Sequence, residues 1–168
     1  MDVVDATHTG PVVRFLTEQI DDLDASIIRI LVEKHRRPGM VAVELGTYTG
    51  RSAIEMLPIV DKAAGHLFCV DWFRGNVGVE AEITNSYRDH DILRVLLENL
   101  EASGFRKRVS ILVGTTDTAA KLVGDRSLDV LFIDAAHRYS SVKRDLDAWV
   151  PKVKPGGLVF GHDFDRLL

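Results

Sequence analysis

Five short apolar runs, each closing on a polar residue or a glycine and each separated from the next by a stretch of helical periodicity, restrict this chain more than any other feature. They are Met40 to Leu45, Leu67 to Val70, Val109 to Val113, Leu128 to Ile133 and Leu158 to Phe160. Strands apolar on both faces belong to a parallel sheet covered by helices on both sides, and strand–helix–strand repeats of this kind wind right-handedly. The expected fold is therefore α/β, a three-layer sandwich on a mainly parallel sheet of about five strands.

Helices are expected over Ser52 to Ala63, Tyr87 to Ser103, Thr116 to Val123 and Ser141 to Val150, with Gly104 and Pro151 as stop signals. Residues 1–39 read as an N-terminal helical region. Val12, Phe15, Leu16, Ile20, Leu23, Ile27, Ile28 and Leu31 recur there at helical spacing, with a break near Asp21-Asp22 and an end at Arg36-Arg37-Pro38-Gly39. Residues 40–168 form the core domain, and Lys154-Pro-Gly-Gly157 reads as a turn into the fifth strand.

In open parallel sheets a ligand lies outside the carboxyl ends of the strands. Here those ends carry Glu44, Asp71, Gly114, Asp134 and His162-Asp163. After the first strand, Glu44-x-Gly46-x-x-x-Gly50 opens a helix whose N-terminal N–H groups suit a carboxylate or a phosphate. The spacing is not the Gly-x-Gly-x-x-Gly of dinucleotide folds, which argues against a nicotinamide-dependent oxidoreductase. Asp71 follows about 20 residues beyond Gly50, the distance of an acid that accepts hydrogen bonds from ribose hydroxyls. Trp72 either packs on an adenine face or is a core aromatic.

Taken together, Val-Glu-Leu-Gly-Thr-Tyr-Thr-Gly-Arg-Ser, Cys-Val-Asp71, Val113-Gly-Thr115, Leu131-Phe-Ile-Asp134-Ala-Ala-His137-x-Tyr139 and Lys154-Pro-Gly-Gly-Leu-Val-Phe-Gly161-His-Asp163 resemble the ordered motifs of class I S-adenosylmethionine (SAM)-dependent methyltransferases. Within that class the pattern is similar to the small-molecule O-methyltransferases, with macrocin-type and catechol-type enzymes as relatives. The resemblance implies a Rossmann-like sheet of order 3-2-1-4-5 and SAM as cofactor. It places Gly46, Thr47, Tyr48 and Gly50 along the methionine part, with Glu44 beneath it. Ser52 either caps the helix or bonds the SAM carboxylate. Asp71 with Trp72 would hold the ribose and adenine side, and Gly114, Thr115 and Thr116 would border the adenine. Arg51, Arg138 and Tyr139 flank the inferred cleft.

The chemistry of methyl transfer falls on Asp134, His137 and His162. A neutral imidazole can take a proton from an acceptor hydroxyl, and His137 otherwise caps the helix that follows it. Asp134 and Asp163, at the ends of neighbouring strands, form a carboxylate pair suited to Mg²⁺, which would orient the hydroxyl. The familiar fold carries two more strands after the fifth. None can be drawn before Leu168, so the pocket for a small-molecule substrate is expected to be incomplete. A non-catalytic or vestigial SAM-binding module, working through a partner or a second copy on the open sheet edge, is the alternative.

Composition excludes several other classes. The formal charge of -4 carries no basic stripe for nucleic acid. Cys69 stands alone, so no internal disulfide framework or thiolate metal cluster forms. No run approaches a membrane span and no leader pattern opens the chain, so the expected location is cytoplasmic.

Overall fold

The structure, a computed structural model, describes residues 13–16, 20–75 and 87–162. Helix α1 (Asp22–Lys34) starts at the break expected from the sequence. Asp21 caps it, accepting from the Asp24 N–H at 2.8 Å while the Asp24 carboxylate accepts from the Asp21 N–H. This capping box puts negative charge at the positive end of the helix. Ala25, Ile28 and Val32 form the buried stripe of α1 and join the core that covers one face of the sheet.

The other main elements of the described residues are, in order, β1 (Val41–Leu45), α2 (Arg51–Lys62), β2 (His66–Asp71), α3 (Ile92–Ala102), β3 (Val109–Val113), α4 (Thr116–Ala120), β4 (Leu128–Ile133), α5 (Tyr139–Trp149) and β5 (Val153–Gly161). All four pairings are parallel and the order is β3-β2-β1-β4-β5. The chain moves outward from β1 to β3, then returns to place β4 on the other side of β1. The crevice at this reversal, outside the carboxyl ends of β1 and β4, is where such sheets bind ligands.

Side chains alternate across the sheet as the two-residue strand period requires. Ala42, Leu67, Cys69, Val109, Val130 and Phe132 face a core built with α1, α2 and α3. Val43, Leu45, Val70, Leu131 and Ile133 face a second core that includes Ala119, Ala120 and Trp149. Each fully buried aliphatic side chain contributes roughly 1.5–3 kcal/mol relative to exposure. The fold is the expected three-layer sandwich. No helix among the described residues is long and apolar enough to cross a membrane.

Three boundaries differ from expectation. The helix expected from Tyr87 is interrupted: residues 87–89 are helical, and a new helix starts at Ile92, where Asp91 caps it through the Arg94 N–H. Helix α5 begins at Tyr139 rather than Ser141, while α4 stops at Ala120. Lys154-Pro-Gly-Gly157 is not a turn ahead of β5 but a bulge within it: Leu128 pairs with Val153, yet Val130 pairs with Leu158. The cause is Asp129, fully buried at the start of β4. A buried carboxylate needs paired charge. Lys154 Nζ reaches it at 2.9 Å, Arg37 Nε at 3.2 Å, and the Val41 N–H donates at 2.8 Å. Gly156, with φ +75°, lets the chain loop out so that Lys154 can do so.

Gly46 ends β1 with φ +84°. Its N–H donates to the Val70 carbonyl at 2.9 Å, and the Asp134 N–H donates to the Leu45 carbonyl at 2.8 Å. A Cβ on Gly46 would stand 2.2 Å from the Asp134 carbonyl oxygen. Gly46→Ala is therefore expected to destabilise the fold by about 3 kcal/mol or more, through both the left-handed backbone and the clash. Urea unfolding measures this; a loss below about 1 kcal/mol would contradict the contact.

Candidate functional site

Two loops meet at the carboxyl ends of β1 and β2, and one side chain joins them. The Asp71 carboxylate accepts the Tyr48 N–H on Oδ2 and the Phe73 N–H on Oδ1, each at 2.8 Å. Tyr48 (φ +49°) and Phe73 (φ +56°) both hold left-handed backbone, which costs a bulky residue about 1–3 kcal/mol. Such strain persists where the surroundings impose it, and it gathers at functional sites. Burial raises the Asp71 pKa, while the N–H donors from Phe73 and Tyr48 oppose the rise. The Thr47 and Trp72 N–H groups act on the same carboxylate in the same sense.

Beneath this loop Glu44 is fully buried on the α2 side of β1. It accepts from the Ser52 hydroxyl and, at 3.7 Å, from the Cys69 thiol. Burial pushes the Glu44 carboxyl up to about 7, against the lowering effect of its hydrogen bonds. Ser52 thus neither caps α2 nor faces the cleft: Gly50, with φ +89°, is the N-cap, and the Ser52 hydroxyl points down to Glu44. Thr47 is buried in the same loop.

The loop is also gripped from behind by α3. A Cβ on Gly50 would lie 2.6 Å from Leu96 Cδ1. One helical turn on, the buried Asn99 donates to the Thr49 carbonyl at 2.9 Å and to the Arg14 carbonyl at 2.7 Å, and accepts the Arg14 N–H at 2.7 Å. Arg51, expected to flank the cleft, instead pairs with Asp22 at 3.1 Å and Glu55 at 3.2 Å, and its guanidinium lies 5.2 Å from the Phe15 ring centre. It fastens the N-terminal region to α2.

On the β3 side the Gly114 N–H donates to the Asp71 carbonyl at 2.9 Å, closing β3 against β2. Thr115 caps α4 through the Thr118 N–H. The Thr116 hydroxyl donates to the buried Asp145 of α5 at 2.5 Å. Trp72, 41% exposed beside Asp71, is available to a planar ligand and is no core aromatic.

On the other side, Asp134 ends β4 and His162 follows β5. Imidazole Nδ1 stands 3.9 Å from Asp134 Oδ1, and Nε2 stands 3.1 Å from Asp24 Oδ2 of α1. The His162 N–H donates to the Ile133 carbonyl at 3.2 Å, which sets the height of the ring. His137 is exposed and is not the cap of α5; that position is Arg138, with no side-chain cap bond. Asp163 lies outside the described residues. Among those described, no group of three or more His, Cys, Asp or Glu residues is placed to hold a metal ion.

The structure therefore brings Gly46, Thr47, Tyr48, Gly50, Asp71 and Trp72 to one crevice, with Glu44 and Ser52 buried beneath it, Gly114 and Thr115 at its β3 side and Asp134 and His162 at its β4 side. Asp24 and Asn99 were missed in the sequence. Asn99 carried a faint signal, an amide within the buried stripe of α3; Asp24 carried none beyond its helix cap.

The geometry can be set beside known proteins. Residues 43–164 match a family model described as a methyltransferase domain. The chain is 34% identical over 125 residues to the uncharacterized protein y4gI of Sinorhizobium fredii, covering 72% of this chain and 13% of that protein. It is similar in fold to the O-methyltransferase TomG of Streptomyces achromogenes in complex with SAM. There the TM-score is 0.65 at 16% identity, over 87% of this chain and 56% of that one. The O-methyltransferase from Bacillus cereus in complex with S-adenosylhomocysteine (SAH) gives a TM-score of 0.65 at 16% identity, over 87% and 59% respectively. The chain thus spans about one eighth of the curated relative and under two thirds of these structures.

Glu44 generates a prediction independent of any ligand. Its native pKa, about 7, lies above the ordinary 4.5, so the native state holds the proton more tightly than the unfolded state. Stability then falls as pH rises from about 4.5 to 7, by up to about 3 kcal/mol from this group. Glu44→Gln is expected to flatten that slope and to gain stability at alkaline pH, read from urea midpoints across pH; an unchanged slope refutes the assignment.

Proposed function

The chain belongs to the methyltransferase-domain family, and on that premise we propose that it binds SAM at the β1–α2 loop and directs its methyl group to a hydroxyl of a small molecule. One observation carries the reading: the Asp71 carboxylate and the Gly46–Gly50 loop meet at the strand-order reversal, with two left-handed residues held in place by that carboxylate. Strain invested at a ligand crevice fits a loop shaped in advance for its ligand. SAM, when bound, supplies an electrophilic methyl group on a sulfonium.

In this reading Asp71 takes the ribose hydroxyls and Trp72 stacks beside the adenine. The glycine loop and the N-terminus of α2 face the methionine end. The acceptor lies over the ends of β4 and β5. His162 would take the proton of the acceptor hydroxyl, and the methyl group would pass from SAM to that oxygen with SAH as the leaving group. His162 suits this role better than His137, because it is sheltered and held by a carboxylate on α1. Catalysis of this kind rests chiefly on positioning two partners in line.

Mg²⁺ is the finer part of the proposal. Asp134 is a hard oxygen ligand at the acceptor end, and Asp163 is its sequence partner. An ion held there would lower the pKa of the acceptor hydroxyl. Cytoplasmic location and a single small-molecule acceptor complete the reading.

Titration calorimetry with SAH tests the cofactor half. Binding by the wild type is expected, with Asp71→Ala weakening it by about 10-fold or more, as loss of a charged hydrogen-bond acceptor does. A wild type that takes up no heat with SAH overturns the proposal. For the ion, methyl transfer from radiolabelled SAM is expected to fall on chelation and to return with added Mg²⁺; turnover that survives chelation removes the metal.

A further inference from the structure

The geometry points to Asp24, on α1 and ahead of the 43–164 span that matches the family model, as a positioning residue that fixes the His162 imidazole. This rests on the reading of His162 as the acid–base group. Asp24 Oδ2 lies 3.1 Å from His162 Nε2 across 138 positions of sequence. A carboxylate only accepts, so Nε2 must carry a proton. Nδ1 is then the nitrogen turned toward the end of β4, where Asp134 Oδ1 stands 3.9 Å away. That edge of the ring lies on the side given above to the acceptor hydroxyl. A base oriented by a third group through its far nitrogen is the general arrangement of an activated acid–base pair.

Three further observations show that Asp24 is held for this. Its position is set by the α1 capping box, in which Asp21 accepts the Asp24 N–H at 2.8 Å. The helix is itself anchored, through Arg51 to Asp22 and through Ala25, Ile28 and Val32 in the core. The three side chains are sheltered, at 17% exposure for His162, 31% for Asp24 and 15% for Asp134, so the contact is screened less than a surface pair. The N-terminal helix thereby supplies part of the acceptor end of the site, which the β-strands alone do not complete.

Nitrogen-15 NMR of the histidine rings in the intact 168-residue chain tests this. The wild type is expected to show a His162 Nε2-bound proton protected from exchange with water. Asp24→Ala is expected to lose that signal. Asp21→Ala, which weakens the same helix start without removing the imidazole partner, is expected to keep it. An unprotected ring in the wild type, an unchanged signal in Asp24→Ala, or equal loss in both variants overturns the inference. SAH titration of the same samples separates it from the cofactor reading: Asp24→Ala should bind SAH as the wild type does. Failure of the wild type to bind would sink the methyltransferase proposal while leaving the ring result standing.

Discussion

The Asp71 carboxylate is the contact on which the ligand side of this molecule depends. It stands at the end of a central strand, is largely buried, and accepts backbone N–H groups from both loops. Without it, Tyr48 and Phe73 would have no evident reason to hold left-handed backbone. Each such residue costs about 1–3 kcal/mol, and a hydrogen bond to a charged acceptor returns about 1.5–3. The two terms are of the same size, so the hydrogen bonds offset the strain of the two loops. Burial works against ionisation and the N–H donors work for it. The loop geometry and the charge therefore sustain each other.

Glu44, one strand over, solves the opposite problem. Among the described residues it is fully buried with no cation beside it, and its partners are the Ser52 hydroxyl, the Cys69 thiol and the Thr47 side chain. Neutralising an acid costs less than burying an unpaired charge, which is why its pKa climbs to about 7. Two acids that look alike at strand ends thus become a charged clamp and a near-neutral plug. Asp129, at the far end of the sheet, is a third case: equally buried, but supplied with Lys154 and Arg37.

Much of this was legible in the sequence because it depends on neighbours in the chain. Apolar runs announce β1 to β5, and the polar residues that close them announce the crevice. Gly46 could be read as a close approach, though not what it approaches; its neighbour is the Asp134 backbone rather than a ligand. What escaped depends on contacts between distant segments. Nothing local says that Asn99 will tie Arg14 to Thr49, that Arg51 will turn back to Asp22 and Phe15, or that Asp24 will meet His162. The bulge at Lys154 escaped for the same reason: it answers to a buried carboxylate some 25 positions earlier.

The two ends of the crevice are consequently built by different rules. The end assigned to SAM uses consecutive elements, β1, α2 and β2, and its parts are the Asp71 carboxylate, the backbone groups it holds and glycines whose geometry tolerates little change. The end assigned to the acceptor uses side chains from α1, β4 and β5, held by contacts that span most of the chain. Substitution at Asp24 or around His162 can alter what that end accepts without touching Asp71, Gly46 or Glu44. The two ends meet where the Gly46 backbone abuts that of Asp134, and it is there that a change at one end is felt at the other.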